Sequence, residues 1–194
     1  MKTLQICVIY LFCFSSMLYA EWEYIDRAGT PVTFDWIKRG SSLKKEEALY
    51  LSCFTELYKD FSADELGVED KEAFLTKAFA NVKKDFAEFR CVLLSVKKDG
   101  RVIGFIGFKP TENEKEIFIT QMVLDTDYWD RGIERQMCLS ICKLHDDTKR
   151  IVCVFRRINS VYKEWFTNMG FTECDYMHPG YDPQYYVGYE YWVR

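Results

Sequence analysis

Apolar residues recur at helical spacing in two segments of the first half of the chain, residues 43–58 and 70–87. The two apolar stripes consist of Tyr50, Phe54, Leu57 and Phe61 in the first segment, and of Leu75, Phe79, Val82 and Phe86 in the second. A spacing of three and four residues puts each set on one face of an α-helix. We therefore expect two helices that bury these faces in a core, with Ser41 and Ser42 as N-caps for the first.

Shorter runs rich in β-branched and aromatic residues predict the strands, which we place at 32–38, 91–97, 101–109, 116–124, 150–155, 171–177 and 185–193. Asp99 and Gly100 predict a hairpin turn, because both tolerate positive φ. Further helices are predicted over 132–145 and 160–168, and Gly170 is expected to end the latter. The resulting order, βααβββαβαββ, predicts a mixed α/β (α+β) domain with helices on both faces of its sheet.

The first 20 residues have the pattern of a secretory signal peptide. Lys2 is their only charge, residues 6–14 form an unbroken apolar run, and the small residue Ala20 precedes Glu21. The run is shorter than the roughly 20 apolar residues that a membrane span needs. We expect residues 1–20 to be removed and residues 21–194 to be exported to the periplasm or the medium. An uncleaved membrane anchor is the alternative.

The composition fits one globular domain with a substantial core, since 48% of the 194 residues are hydrophobic and 17% are aromatic. The net charge is −4, and basic residues form no stripe, so we expect no nucleic-acid partner. Six cysteines follow the leader, mostly within predicted strands and helices, and we expect buried free thiols. Cys138 and Cys142 have no histidine pair nearby, so no metal site is expected.

Residues 120–134, TQMVLDTDYWDRGIE, join an apolar strand to a polar turn and then to a helix that begins at Gly132. A helix N-terminus has unpaired backbone N–H groups and the positive end of the helix dipole, so a pyrophosphate can bind there. Gly132 has no side chain to prevent a close approach. Glu134 places a negative charge at the same point, where Arg131 and Arg135 are the cations that could offset it.

This segment resembles the acyl-CoA signature of the GNAT (Gcn5-related) N-acetyltransferases, which is R/Q-x-x-G-x-G/A at the start of a helix. Here Trp129 stands at the R/Q position, Gly132 at the first glycine and Glu134 at the second small residue. The resemblance extends over roughly residues 31–194.

A second stretch, NSVYKEWFTNMGF at residues 159–171, resembles the family element N-x-x-A-x-x-x-Y-x-x-x-G-F. Asn159, Gly170 and Phe171 match the family pattern. Tyr162 replaces the small residue, and Phe166 replaces the tyrosine that often serves as general acid.

The resemblance implies a mixed, mostly antiparallel central sheet in which two neighbouring strands part to receive acetyl-CoA as co-substrate. The backbone of one strand would pair with the pantetheine arm, and we assign this role to Met122, Val123 and Leu124. The backbone N–H groups of the following loop, residues 130–135, would hold the pyrophosphate. Arg131 and Arg135 could add charge-assisted bonds, with solvated helix surface as their alternative role. The motif positions of the cofactor site here are Trp129, Gly132, Ile133 and Glu134, where Trp129 lacks the usual polar contact and Glu134 opposes the phosphate charge. Asn159 and Phe166 would complete the cofactor site.

The implied reaction is direct attack of a primary amine on the thioester, which needs a base for the ammonium and an acid for the thiolate. Tyr162 is the candidate acid, with aromatic packing as the alternative role. Glu116, the only acid on the central strand, is the candidate base, and a water chain is the alternative. His178 could face the substrate or be an exposed loop residue. The tyrosines at 181, 185, 186 and 189 could line the acceptor pocket, pack an edge strand or form a dimer contact.

Two functions stay open at this level. The first is an N-acetyltransferase that acts on a small-molecule or peptide amine. The second is an exported GNAT-fold binding module that has lost catalysis, which the departures at Trp129, Glu134 and Phe166 suggest. Acetyl-CoA is a cytosolic metabolite, so export and the first function conflict. Either the protein is delivered into the cytosol of another cell, or the leader is not a cleaved export signal, or the protein no longer uses acetyl-CoA. Membrane contact is expected only if the leader is uncleaved, and a homodimer could form.

Overall fold

The computed structural model describes residues 21–113 and 115–193. Its eight strands are β1 (Trp22–Ile25), β2 (Pro31–Trp36), β3 (Val92–Lys98), β4 (Arg101–Pro110), β5 (Glu116–Leu124), β6 (Arg150–Arg156), β7 (Thr172–Cys174) and β8 (Tyr186–Trp192). Its helices are α1 (Lys44–Leu57), α2 (Lys71–Ala87), α3 (Ile133–Leu144) and α4 (Ser160–Asn168), with a short 3₁₀ helix at Thr126–Tyr128.

The strands form one sheet in the order β1-β2-β3-β4-β5-β6-β8-β7. Neighbouring strands are antiparallel except for β5 and β6, which are parallel. The parallel pair is joined by the α3 crossover, as parallel strands require. The expected mixed and mostly antiparallel sheet is confirmed.

Residues that alternate along the strands divide the core into two layers. On β4, Phe105 belongs to the layer that contains the apolar faces of α1 and α2. Its neighbour Ile106 belongs to the layer that contains α3 and α4. Because successive side chains of a strand point to opposite faces, the sheet carries helices on both sides, as the sequence predicts.

The turn chemistry agrees with the sequence at both predicted glycine sites. Asp99 and Gly100 have φ of 49° and 76° and connect β3 to β4. At the end of α4, Gly170 has φ of 95°, and the N–H of Phe171 donates to the carbonyl oxygen of Phe166. This pattern is a Schellman cap, which positive φ at glycine permits without strain.

Two local expectations were wrong. The N-cap residue of α1 is Leu43, which makes no side-chain capping bond, so Ser41 and Ser42 do not cap the helix. Strand β1 was not predicted, because four residues directly after an apolar leader show too little alternation to be recognised. It pairs with β2 and lengthens the sheet at that edge.

The predicted leader, residues 1–20, lies outside the described residues. Within the described part of the chain, no helix is long and apolar enough to cross a membrane. The six cysteines that follow the leader are free thiols, and three of them are buried.

Candidate functional site

Strands β5 and β6 part after a short parallel pairing. They pair from Glu116 to Ile119 with Arg150 to Cys153 and no further. Beyond that point β5 continues beside β4 as far as Leu124, while β6 continues beside β8. The register of β4 against β5 shifts at the residue next to this point, Thr120, which is a β-bulge. A bulge bends its strand, so it helps to open the gap.

The backbone of β5 presents polar groups to this gap. The N–H of Asp125 donates to Ile103 on β4 at 2.8 Å, so in an antiparallel pair Val123 also faces β4. The groups of Met122 and Leu124 therefore point the other way, towards the gap. Met122 and Leu124 are two of the three residues that the family resemblance assigns to a pantetheine arm, whereas the third, Val123, pairs with β4 instead.

Both carbonyl groups already accept hydrogen bonds from side chains of this protein. The Tyr162 hydroxyl donates to Met122 O, and the Trp129 indole N–H donates to Leu124 O at 2.9 Å. Trp165 packs against both rings, with ring centroids at 5.4 Å from Tyr162 and 5.0 Å from Trp129. These three side chains, here called the aromatic wedge, fill the gap beside the end of β5.

The other two residues of the α4 element have structural contacts. Asn159 is the N-cap of α4, and its side-chain oxygen accepts from the N–H of Tyr162 at 3.0 Å. Phe166 is buried and stacks on Phe155 of β6 with centroids at 5.5 Å. Asn159 therefore fixes the start of the helix that carries Tyr162, and Phe166 attaches that helix to β6.

The loop before α3 has the shape of an anion site. Asp130 and Gly132 have φ of 59° and 83°, and the helix begins at Ile133. The space beside Gly132 is taken by the turn after β1. A Cβ at this glycine would lie 3.1 Å from the Tyr24 hydroxyl and 3.3 Å from Nε of Arg27. A close approach to Gly132 therefore occurs, but it is made by β1 and the turn that follows it in the same chain.

The carboxylate of Glu134 occupies the anion position itself. The side chain is buried, and burial raises its pKa, with a further rise caused by Asp130. The backbone N–H groups of Glu134 and Gly132 and the charge of Arg27 oppose this shift. One carboxylate oxygen, Oε2, has no hydrogen-bond partner. The backbone N–H groups of the loop thus face the carboxylate of Glu134, and one oxygen of this carboxylate lacks a hydrogen bond.

The cations near this loop differ from those expected. Arg131 donates to Asp127 O and lies 3.6 Å from the Asp26 carboxylate, so its charge is already neutralised by another residue of the protein. Arg135 is exposed on α3. The sequence pattern did not indicate Arg27, whose charge lowers the pKa of Glu134, because β1 and the turn after it were not predicted. It also did not indicate Asp130, which raises the pKa of Glu134, because no motif includes that residue.

Replacing Glu134 with glutamine should stabilise the protein at pH 7–8 and have no effect near pH 4. The pKa of Glu134 is higher in the folded than in the unfolded chain. The folded state therefore loses stability as the pH rises from the pKa of the unfolded chain through that of the folded chain. We expect a gain of about 1 kcal/mol in unfolding free energy, the scale of one poorly paired buried group. Urea unfolding at several pH values measures it. The exposed Glu164→Gln is the control, and an equal gain at pH 4 and pH 8 would contradict the explanation.

Glu116 lies at the opposite end of β5, away from the parted strands. Its carboxylate pairs with Arg150 at 2.6 Å and accepts from the Thr111 hydroxyl at 3.0 Å. Both partners lie at the end of the sheet where β5 and β6 are still paired, so the carboxylate is held away from Met122. This geometry argues against Glu116 as the base.

A cavity of about 590 Å³ opens on the other side of the parted strands. Its walls come from α1, α2, the central part of β5, the end of β6 and the loop at residues 178–181. Met122 and Tyr162 are among its lining residues, so the cavity reaches the aromatic wedge. A volume in this range suits a small ligand.

His178 lines this cavity, so the sequence alternative of a fully exposed loop residue is wrong. Its ring stacks on Phe118 at 4.5 Å, and Nδ1 lies 2.9 Å from Pro179 O. Burial and nearby Lys109 lower its pKa, which favours the neutral imidazole. Of the terminal tyrosines, Tyr181 and Tyr186 also line the cavity. The Tyr189 ring packs against Phe155 with centroids at 4.9 Å, and the Tyr185 ring lies beside Gly67.

Parted strands, a loop of amides at a helix start and a facing cavity together define the fold of an acyl-CoA-dependent acyltransferase. The sequence model of the Acetyltransferase (GNAT) family matches residues 50–171. This is more than half of the chain, and the protein belongs to that family.

Solved structures agree on the fold. The PaiA N-acetyltransferase of Thermoplasma acidophilum, determined in complex with coenzyme A, superposes with a TM-score of 0.63 at 14% identity, over 84% of this chain and 99% of its own. A GNAT-family acetyltransferase from Staphylococcus aureus gives 0.59 at 15% identity, over 83% and 99%. The GNAT domain of S. lividans PAT gives 0.57 at 14%, over 89% and 97%. A search of curated proteins finds no match.

Proposed function

We propose that this protein transfers an acetyl group from acetyl-CoA to a primary amine. Family membership and fold support acyl transfer in general. The observation that carries the proposal is the meeting of two half-sites at Met122. The backbone edge of β5 faces the parted strands there, and the cavity for a second substrate reaches the same residue.

The residues around the gap do not fit acetyl-CoA in the arrangement they have here. Displacing Tyr162 costs about 1 kcal/mol for its hydrogen bond and about 0.5–1.5 kcal/mol for each aromatic contact. A phosphate placed about 4 Å from the Glu134 carboxylate would meet a repulsion of about 4 kcal/mol at an effective dielectric constant of 20. Together these terms would weaken binding by several powers of ten, so transfer requires Tyr162 and Glu134 to move.

Within this proposal Tyr162 retains a chemical role. Burial raises the pKa of its phenol well above the usual value, so the hydroxyl stays protonated at neutral pH. The pantetheine arm would take its place at Met122 O, and from the displaced position on α4 the hydroxyl would supply a proton to the departing sulfur. Neutral His178, in the cavity, could accept the proton of the ammonium directly or through water. Glu116 has no part in this scheme.

A second function, a GNAT-fold binding module without catalysis, is favoured by the aromatic wedge and Glu134. These groups close the coenzyme side of the gap, while the cavity on the other side stays accessible. Both functions leave the amine or ligand to be identified. Export through residues 1–20 and a homodimer are further proposals, which N-terminal sequencing of the native protein and sedimentation would test.

Titrating the full chain with acetyl-CoA in a calorimeter separates the two functions. Transfer predicts a dissociation constant at or below the low millimolar range, and chromatography should show free coenzyme A forming when amines are added. Desulfo-coenzyme A, which cannot carry the acetyl group, is the control for release. If heat and product are both absent at millimolar acetyl-CoA, the transfer proposal fails and the binding module stands.

A further inference from the structure

Arg156, the last residue of β6, is a buried cation in the wall of the cavity. Its side chain is 5% exposed. The guanidinium packs against two rings, with Cζ at 4.5 Å from the ring centroid of Phe74 and at 4.7 Å from that of Tyr186. The N–H groups of a guanidinium point outward in its plane, so a ligand that forms hydrogen bonds with Arg156 must approach in that plane.

The hydrogen bonds of Arg156 are incomplete. Nη1 donates to the carbonyl oxygen of Leu66, in the loop between α1 and α2. Nε is buried and has no partner. A guanidinium has five N–H donors, and one neutral carbonyl does not balance its charge. Its contact with Leu66 therefore explains how the loop is fixed but not why a cation is needed there.

No anion in the described part of the chain neutralises this charge. Among the residues that the structure describes, Arg156 forms no ion pair within 4.0 Å. Burial raises the pKa of Tyr58 to about 12 and also raises the pKa of Tyr186, so both phenols are neutral at pH 7. A buried charge without a partner is costly to maintain, which favours an external anion at this position.

The rest of the cavity lining also carries more positive than negative charges. Its ionised lining residues are Lys77, Lys84, Arg90, Lys109, Arg156 and a single acid, Asp85. Asp85 is paired with Arg90 at 2.7 Å. This excess of cations is local, because the whole chain has a net charge of −4. The hydroxyl of Thr120, buried in the same cavity without a partner, offers a second polar contact.

We propose that the cavity binds a small molecule with a carboxylate group, which Arg156 holds through the edge that contains Nε. A planar carboxylate matches this edge with two parallel hydrogen bonds, and the surrounding aromatic side chains suit an apolar body. The binding site is independent of acyl transfer. If the proposed function also holds, the acceptor is an amine that carries a carboxylate, and this second statement rests on that function.

Matched pairs of small probes test the wild-type full chain. Phenylacetate and L-phenylalanine should bind at least tenfold more tightly in calorimetry than phenylacetamide and phenethylamine, which lack the carboxylate. Equal affinities within either pair would overturn the proposal. Tighter binding of inorganic phosphate than of phenylacetate would overturn the choice of a carboxylate. None of these measurements depends on acetyl-CoA, so a failure here is distinct from a failure of acyl transfer.

Arg156→Met and the neighbouring Arg157→Met form the variant test. Arg157 is exposed and lies near Glu173 at 4.0 Å, so its replacement removes the same charge outside the cavity. We expect Arg156→Met to weaken phenylacetate at least tenfold and Arg157→Met to leave it unchanged. Retained binding in a folded Arg156→Met protein contradicts the proposal. If that variant does not fold, the wild-type probe pairs decide.

Discussion

Replacing Tyr162 with alanine is expected to raise the affinity for coenzyme A at least tenfold. The phenol donates to Met122 O, and its ring stacks on Trp165, so the side chain must leave before a pantetheine arm can pair with β5. Alanine restores the small residue that the GNAT pattern has at this position. A tenfold gain corresponds to about 1.4 kcal/mol, which is within the sum of one hydrogen bond and one or two aromatic contacts.

Calorimetry with coenzyme A measures the effect, and Tyr162→Phe is the matched control. Phenylalanine retains the ring but removes the hydroxyl, so it should recover only the part of the gain that the hydrogen bond accounts for. If Tyr162 also donates a proton in transfer, Tyr162→Phe should lower kcat although it binds acetyl-CoA no more weakly than the wild type. Unchanged coenzyme affinity in a folded Tyr162→Ala protein would show that the wedge does not limit access.

Glu134→Gly should add to this gain, since it removes a like charge from the loop that would hold the pyrophosphate. The two residues lie on different elements, at the start of α3 and on α4. Roughly additive effects in the double variant are therefore expected.

Replacing Phe105 with alanine should cost about 3–5 kcal/mol of unfolding free energy. The side chain is fully buried on β4, in the layer that attaches α1 and α2 to the sheet. Its ring meets that of Phe79 on α2 edge to face, at 6.0 Å. Alanine leaves a cavity at this contact, and for a domain with a typical stability of about 5–15 kcal/mol the loss is a large fraction.

Urea unfolding followed by circular dichroism tests this prediction, with an unchanged dependence on denaturant as the check that the unfolded state is the same. Phe105→Leu keeps most of the volume and should cost less than half as much. A loss below about 1 kcal/mol in the alanine variant would mean that the two helices are held to the sheet mainly by other contacts. Because α1 and α2 form walls of the cavity, the alanine variant should also bind phenylacetate more weakly.

Much of the fold could be predicted because its signals are local. The stripes of α1 and α2 repeat every three to four residues, and the Asp99–Gly100 turn depends on two adjacent residues. Strand β1 escaped prediction because four residues carry little periodic information. Because β1 was not predicted, the sequence also did not indicate Arg27, which lies beside the loop before α3 when β1 pairs with β2.

The short motifs around Gly132 and in the Asn159–Phe171 element lie close to the parted strands, so the sequence indicated this region as the candidate site. It did not indicate which side chains fill the region. The sequence indicates that Glu134 is unfavourable for a phosphate. It does not reveal that the carboxylate turns onto the loop amides, because that depends on how closely the turn after β1 packs.

The sequence by itself determined the helices α1 to α4, every strand except β1, the mixed character of the sheet and membership of the GNAT family, since periodicity and motif spacing act over a few residues. Only the tertiary structure decided what fills the gap and what lines the cavity. Tyr162 meets Met122 across 40 residues, and Arg156 meets Leu66 across 90. Such contacts follow from strand register and helix packing, which place distant side chains side by side although no local pattern records their meeting.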